Sequence, residues 1–506
     1  MSKVVCIGFM GAGKSTAARA IAAATGQHAG DVDSVLEQRL GRPIESIFAQ
    51  DGEATFREAE ERITLELLQA REPEVLALGG GAIGSERVRE ALTGHVVVWI
   101  DVDRETAWGR VSGTGRPLAR DRARFERLHG EREPLYAALA DVVVPAARSH
   151  ATAAVLAAIA GRPATTTVLW AASASGDYPV YVDSGLITEH RFWPQAVDGR
   201  RFLVTDGNAG RLYGEAVEPL SGRAAIMPGE QSKTIAHAEI VWTELVRAGM
   251  TRQDVVVALG GGVVGDLGGF CAATYQRGVR YVQVPTTLVA QVDSSLGGKT
   301  GVDLTEAKNY VGAYHQPSAV LLDPATLGTL PPAELAAGYA EVVKTALIAG
   351  GWLWERVSSG ARPEDPGVIA ASALTKLRVV AADERDGGLR QVLNLGHTVG
   401  HAIETVTGYA RYRHGEAVAL GLLAALRLSG QEGLRAQVQE LFRAAGLPTE
   451  LDGSADPDAI VMATARDKKR LGEGPVPFVL IDGPGRARPG CTIPPRELIA
   501  AVRELA

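Results

Sequence analysis

The 506-residue sequence predicts an α/β protein built as a parallel sheet with helices, then a second α/β domain, then a mainly α-helical domain. Three observations predict this order. Short β-rich runs alternate with helical patterns from the N-terminus onward. Glycine clusters follow two of those runs, at Gly8–Gly13 and Gly260–Gly265. After Leu327–Glu334, strand signals nearly vanish and helical periodicity dominates.

The elements justify the prediction in turn. Val4–Gly8, Val75–Leu78 and Val96–Ile100 are the strand runs of the first part. An alanine-rich helix near Ala151–Ala160 closes it, and Gly161–Thr167 reads as a linker. The second part begins with Val168–Trp170 and continues through Tyr178–Val182, Arg201–Asp206, Asp254–Gly260 and Tyr281–Pro285. Within the helical tail, Pro475–Ile481 is the one further strand candidate. The length corresponds to roughly three to four folding units.

Composition narrows the function classes. Hydrophobic residues make up 46% and charged residues 22%, enough for globular cores. The net charge of −7, without a long basic run, argues against a nucleic-acid partner. Cys6, Cys271 and Cys491 lie far apart, without metal spacing, which favours a reducing compartment. The opening MSKVVCIGFMGAGKST does not read as a signal peptide. The longest later apolar run, Ala417–Leu426, falls short of the ~20 residues of a membrane span. A cytoplasmic protein without a membrane partner is expected.

Gly8–Ser15 fits the P-loop pattern between a strand and a helix. Backbone N–H groups of Gly11, Ala12, Gly13, Lys14, Ser15 and Thr16 are expected around the ATP phosphates. Lys14 should reach the β/γ-phosphates and Ser15 the Mg²⁺. Asp31 and Asp33 alternate, so a single strand would point both one way. Arg57, Gly79–Gly80–Gly81, Arg116 and Arg132 follow in that order. Together these pieces resemble shikimate kinase over residues 1–160. The resemblance implies Mg²⁺ near Ser15 and Asp31, with Asp33 on the shikimate hydroxyls as the candidate base. It implies Arg57 and Arg132 as carboxylate forks, Gly79 to Gly81 as a backbone contact, and Arg116 on a lid over the transferring phosphoryl group.

In the second part, Gly260–Gly265 contains GxGxxG, but no acidic residue follows ~20 positions on, as an ordinary Rossmann fingerprint requires. Asp206 at an earlier strand end is the substitute ribose partner, with Asn208 beside it. His397 and His401 share a helix face, His414 opens the next helical run, and Glu341 shares a face with Lys344. Two histidines with a carboxylate form a zinc set with open coordination positions. The absence of HExxH excludes that class of hydrolase.

The motifs Pro228–Thr234, Tyr275–Arg280, Val284–Asp303, Lys308–Pro317, Ala340–Lys344, Asn394–Glu404 and Arg413–Val418 together resemble 3-dehydroquinate synthase. This implies a Rossmann-like NAD-binding domain over 168–327 and a metal- and substrate-binding domain over 328–506. Glu341, His397 and His414 are implied for Zn²⁺ (or Co²⁺), and His401 beside the substrate. Asp206, Asn208, Glu230, Lys233, Gly261, Gly262, Asp266, Thr286, Thr287, Lys299, Lys308 and Thr329 are implied for NAD⁺. Asp293, Lys299, Asn309, Lys344, Lys376, Arg390 and Asn394 are implied for substrate, with either Lys468 or Lys469. Arg277 is implied to reach the substrate phosphate from a partner subunit of a homodimer. Asp386 departs from the family, which places Glu there. The implied reaction oxidises a heptulosonate 7-phosphate transiently, expels phosphate, returns the hydride and closes a carbocycle.

Rival readings stay open at this point. The second half also fits a metal-dependent polyol dehydrogenase or another sugar-phosphate cyclase. The first half also fits another small-molecule P-loop kinase or a non-catalytic nucleotide-binding module.

Overall fold

The computed structural model describes residues 2–114, 117–305, 307–453, 455–464 and 476–506, without the side chains of Pro117 and Thr152. Arg116, Lys468 and Lys469 lie outside the described residues. The chain divides into two compact units, Met1–Ala172 with two short later segments, and the remainder to Ala506.

In the first unit, strands β1 (Val4–Ile7), β2 (Ala29–Asp31), β3 (Val75–Ala77), β4 (Val96–Asp101) and β5 (Val142–Pro145) form a parallel sheet in the order β2-β3-β1-β4-β5. Val5, Cys6 and Ile7 are buried, as are Val97 to Ile100 and Val142 to Val144. This two-sided burial is why these runs read as continuous hydrophobics rather than alternating ones. β6 (Thr167–Ala171) pairs in parallel with β5, Val142 opposite Val168, and β7 (Tyr178–Val182) lies beside β6.

By that pairing Val168–Trp170 shares the sheet of the first compact unit. Gly161–Thr167 is also packed down. Arg162 pairs with Asp141 at 2.9 Å and donates to the carbonyls of Pro163, Ala164 and Thr166.

In the second unit, β8 (Arg201–Asp206), β9 (Gly222–Ile226), β10 (Val255–Gly260), β11 (Arg280–Pro285) and β14 (Ala319–Leu322) run parallel in the order β14-β11-β10-β8-β9. Helices Ile235–Arg247 and Gly262–Thr274 bury Val241, Leu245, Leu267 and Cys271 in one core with β8 and β10. β12 (Lys299–Val302) and β13 (Val311–Tyr314) form an antiparallel ribbon, as do β15 (Phe478–Ile481) and β16 (Ala487–Cys491). From Pro332 onward most of the chain is helical, as the sequence predicts.

Candidate active sites

In the first unit, β1 delivers the chain to the glycine loop and helix Lys14–Thr25 leaves it. Gly13 caps that helix at φ 96°, a left-handed conformation that disfavours any side chain. Gly11, at φ 82°, lies so close to Ala107 that an added Cβ would sit 3.1 Å from its carbonyl oxygen. The helix N-terminus thus opens onto the loop with its positive dipole end, the standard arrangement for phosphate. Lys14 Nζ donates to Phe9 O at 3.2 Å, and Ser15 Oγ donates to Asp31 Oδ2.

Asp31 and Asp33 do not share a strand, contrary to the alternation argument. Asp31 ends β2 and caps helix Val32–Leu40 by accepting from Ser34 N at 3.2 Å, while Asp33 sits in that helix's first turn. The cap ends the strand two residues before Asp33. Asp33 nevertheless faces the glycine segment, for a Cβ on Gly79 would lie 2.8 Å from its Oδ1.

Arg57, Gly79–Gly81 and Arg132 are brought together. Arg132 Nη1 donates to Gly80 O at 2.9 Å, and Tyr136 OH donates to the same oxygen at 2.6 Å. A Cβ on Gly81 would meet Arg57 Nη1 at 2.0 Å. Arg57 pairs with Glu60 at 2.5 Å and Glu53 at 3.2 Å. Burial pushes the Glu60 carboxyl up, with Arg57 pulling against it. Tyr136 was not singled out in the sequence, whereas Glu60, which GEATFREAE offers beside Arg57, follows it by three residues, one helical turn.

In the second unit, parallel β8, β10 and β11 end at one edge, the place where open α/β sheets bind ligands. Asp206 closes β8 and accepts from Asn208 N and Ala209 N at 2.8 and 2.9 Å. Gly260 has φ 158°, and a Cβ there would lie 3.2 Å from Asp206 Oδ2. Thr286 and Thr287 follow the end of β11. A cleft of about 1460 Å³ opens here. It is lined by Asp206, Asn208, Glu230, Lys233, Gly261, Gly262, Asp266, Thr286, Thr287, Lys308, Asn309, Thr329, His401 and His414.

Lys233 is buried among three carboxylates, Glu230 at 2.8 Å, Asp266 at 3.4 Å and Asp303 at 3.7 Å. Burial opposes its charge, but Asp266 and Glu230 raise it above the usual lysine range. Burial pushes Asp266 up to about 6 against the pull of Lys233. A raised folded-state value gives stability that is present below about 4 and lost as pH climbs through about 6. The rise corresponds to about 3 kcal/mol. Asp266→Asn is therefore expected to flatten the fall in urea midpoint between pH 4 and 6. An unchanged pH slope would refute it.

The third group sits on three helices that glycines let approach. Helix Pro332–Ala349 carries Glu341, His397–Val406 carries His397, and His414–Leu428 begins at His414. A Cβ on Gly415 would lie 1.8 Å from Ala337 O, and one on Gly421 2.0 Å from Gly396 O. Neither helix pair tolerates a methyl group at these crossings. Their close approach puts ligand atoms of Glu341, His397 and His414 within 4.8 Å of one another. His397 Nε2 is 3.5 Å and His414 Nε2 3.4 Å from Glu341 Oε1.

Glu341 is fully buried. Among the described residues, neither of its carboxylate oxygens has a partner in hydrogen-bond geometry, although Lys344 Nζ is 2.5 Å from Oε2. Burial opposes ionisation, yet Lys344, His397 and His414 hold the Glu341 carboxyl well below the usual range. An ionised, buried carboxylate facing two imidazoles fits a divalent cation of borderline softness, Zn²⁺ or Co²⁺.

A chain of charges continues from this group. Lys344 is 3.9 Å from Asp293, and Lys376 donates to Asp293 O at 2.5 Å and to its carboxylate. Burial opposes Asp293 ionisation, but Lys376 and Lys344 bring it down to about 2. Burial lowers Lys376 in turn. Arg390 Nη2 donates to Gly297 O at 3.3 Å, and Asn394 ends the turn Leu389–Asn394 just before His397. Lys299 pairs with Asp386 at 2.6 Å, so the shorter acid still reaches a lysine. Lys299 does not line the cleft, and Arg277 is exposed on the turn Tyr275–Arg277.

Sequence reasoning passed over Glu404. It lies seven residues after His397 and three after His401 on one helix face, and its carboxylate is 3.4 Å from His414 Nδ1. The spacing was the available signal.

Comparisons with known proteins match both parts of the chain. Residues 10–160 match the shikimate kinase family model. Residues 223–337 and 338–470 match the N-terminal and C-terminal models of 3-dehydroquinate synthase. A 3-dehydroquinate synthase of Symbiobacterium thermophilum is 45% identical over 333 residues, covering 61% of this chain and 92% of the relative. One from Halorhodospira halophila is 44% identical over 340 residues, covering 63% and 94%. A solved 2-epi-5-epi-valiolone synthase from Streptomyces hygroscopicus, with NAD⁺ and Zn²⁺ bound, superposes with a TM-score of 0.58 at 28% identity over 65% of this chain and 96% of that one. A 2-deoxy-scyllo-inosose synthase structure shares the fold, with a TM-score of 0.59 at 24% identity over 67% of this chain and 100% of that one. The chain therefore belongs to the 3-dehydroquinate synthase family and carries a shikimate kinase domain ahead of it.

Proposed function

We propose that the chain catalyses two reactions of aromatic biosynthesis. The first unit phosphorylates shikimate with ATP. The second converts 3-deoxy-D-arabino-heptulosonate 7-phosphate to 3-dehydroquinate and phosphate, using NAD⁺ and one divalent metal. The observation that carries the second reading is the buried Glu341 carboxylate, paired with Lys344, facing His397 and His414 beside an NAD-type cleft.

In the kinase, Gly11 to Thr16 hold the phosphates and Lys14 neutralises charge on the leaving oxygens. Ser15 and Asp31 are placed to hold Mg²⁺. Asp33 takes the proton of the attacking hydroxyl, while Arg57 and Arg132 grip the carboxylate above Gly79–Gly81. The resemblance implies Arg116, which lies outside the described residues, for the transferring phosphoryl group. Because the Gly81 pro-Cβ position abuts the flexible end of Arg57, Gly81→Ala should displace that guanidinium without unfolding the chain. Losing one charge-assisted contact of about 1.5–3 kcal/mol predicts a shikimate KM raised about ten- to a hundredfold. An unchanged KM would contradict Arg57 as a carboxylate fork.

In the synthase, Glu341, His397 and His414 hold the metal, which supplies Lewis acidity to a substrate hydroxyl when bound. Asp206 and Asn208 would orient the ribose of NAD⁺, which would supply reversible hydride transfer when bound. Gly261 and Gly262 admit the pyrophosphate at the helix N-terminus, with Thr286, Thr287, Asp266, Lys308 and Thr329 around it. Lys344, Lys376, Arg390, Asn309, Asn394 and Lys299 hold a ligand bearing both phosphate and carboxylate, with Lys468 or Lys469 from the following segment. Asp293 helps keep Lys344 and Lys376 charged against their burial, and His401 is placed to stand beside the reacting carbons. Arg277 suits a phosphate contact across a homodimer, in which the exposed turn of one synthase part meets the cleft of the next.

The domains proposed are 1–160 for the kinase, 168–327 for NAD binding and 328–506 for metal and substrate. Among the described residues no helix is long and apolar enough to cross a membrane. A cytoplasmic location is proposed on the three thiols, none of which is paired. The test supplies purified chain with the heptulosonate phosphate and NAD⁺ well below the substrate concentration. Phosphate release far in excess of NAD⁺, without net NADH, supports the reading. Net NADH from a polyol, with no phosphate released, would replace it with a dehydrogenase.

A further inference from the structure

We propose that Glu404 is the positioning residue of the metal centre, fixing His414 rather than binding the ion itself; this rests on reading Glu341, His397 and His414 as that centre. Glu404 is buried at 6% exposure. Burying a carboxylate costs several kcal/mol unless it is paired and hydrogen-bonded. Here both of its oxygens lie 3.4 Å from His414 Nδ1, in hydrogen-bond geometry for Oε2.

The other nitrogen of the same ring, Nε2, lies 3.4 Å from Glu341 Oε1. His414 is thus held from both sides by buried carboxylates. With Nδ1 carrying the proton given to Glu404, Nε2 presents its lone pair toward Glu341 and His397. A ring held at both nitrogens can neither flip nor exchange tautomers freely, so the ligand atom is aimed before the ion arrives. His397 is anchored in a parallel way, its Nδ1 3.3 Å from Leu395 O, a backbone carbonyl.

A competing geometry exists in the same place. His401, Glu404 and His414 also offer ligand atoms within 4.8 Å of one another. His414 ring geometry favours the other set. Its Nδ1 is engaged by Glu404, whereas Glu341 keeps both oxygens without a partner in hydrogen-bond geometry among the described residues. The carboxylate in hydrogen-bond geometry with His414 Nδ1 positions, and the one that faces Nε2 of both His397 and His414 ligates.

The experiment measures zinc affinity of the metal-stripped full-length chain by competition with a coloured chelator, alongside the thermal midpoint of the same stripped samples. Wild type, Glu404→Gln, Glu404→Asp and Glu341→Gln are compared. Glu404→Gln should still bind one zinc per chain, about 10–100-fold more weakly. Glu404→Asp should recover part of that loss, and Glu341→Gln should lose more than either. A merely structural Glu404 would lower the thermal midpoint and leave zinc affinity per folded chain unchanged, overturning the proposal. A loss in Glu404→Gln equal to that in Glu341→Gln would make Glu404 a ligand and also overturn it. Should Glu404→Gln fail to fold, Glu404→Asp decides by the same comparison. Failure of wild type itself to bind zinc would sink the metal-centre reading, and with it this one.

Discussion

His397→Ala is expected to lower cyclisation about 10³-fold or more while leaving shikimate phosphorylation within about twofold, and Lys14→Ala is expected to do the reverse. The magnitude follows from what each residue holds. A catalytic metal supplies several kcal/mol of charge stabilisation, and each 1.36 kcal/mol is about a tenfold in rate. His397 is one of three side chains converging on that point, and its Nε2 is 3.5 Å from Glu341. Lys14 belongs to the first compact unit and His397 to the second. Separate substrates and separate ion requirements give no route by which one substitution reaches the other chemistry. Two assays on each folded variant check this, and loss of both activities from either change would contradict independent sites.

Asp293→Ala is expected to destabilise the synthase unit by about 3–5 kcal/mol, the typical cost of leaving a buried partner charge uncompensated. Two lysines depend on Asp293: Lys376, bonded to its carboxylate, and Lys344 at 3.9 Å. Both are buried. The sign with pH follows from the depressed value of about 2. The stabilisation is complete above the unfolded value near 4 and disappears as pH falls toward 2. Near neutrality the whole effect should therefore appear in a denaturant melt. The double variant Asp293→Leu with Lys376→Met should regain most of the stability, because an apolar pair of similar volume removes both charges. It should stay inactive, which separates the structural from the catalytic use of the pair. Stability of Asp293→Ala within about 1 kcal/mol of wild type would show that the lysines are not buried charges.

Much of both sites was legible before any coordinates. The glycine loop after Val4–Ile7 declares itself through local rules, since strand, turn and helix need only neighbouring residues. His397 and His401 also announce a shared face through spacing alone. What was hidden depended on tertiary contact. Gly415 and Gly421 look like ordinary helix glycines until Ala337 and Gly396 are seen against them. Lys299–Val302 and Val311–Tyr314 carry glycines within two of the synthase-like motifs, yet they pair as strands because each supplies the other's backbone hydrogen bonds. Ala487–Cys491, ARPGC, carries a proline and a glycine that argue against a strand, which its place in a two-stranded ribbon with Phe478–Ile481 overrides. Asp31 and Asp33 were read as strand neighbours because alternation is a local pattern, whereas the helix cap that separates them is set by Ser34.

Everything assigned to the larger unit depends on Glu341, His397 and His414 gathering about one ion beside the cleft. Anomalous diffraction at the zinc edge, from crystals of the full chain grown with Zn²⁺ and NAD⁺, tests this most directly. The expected map has one strong peak within about 2.0–2.2 Å of a Glu341 oxygen and one nitrogen each of His397 and His414. A peak bound instead by other side chains, with those three left unligated, would contradict it.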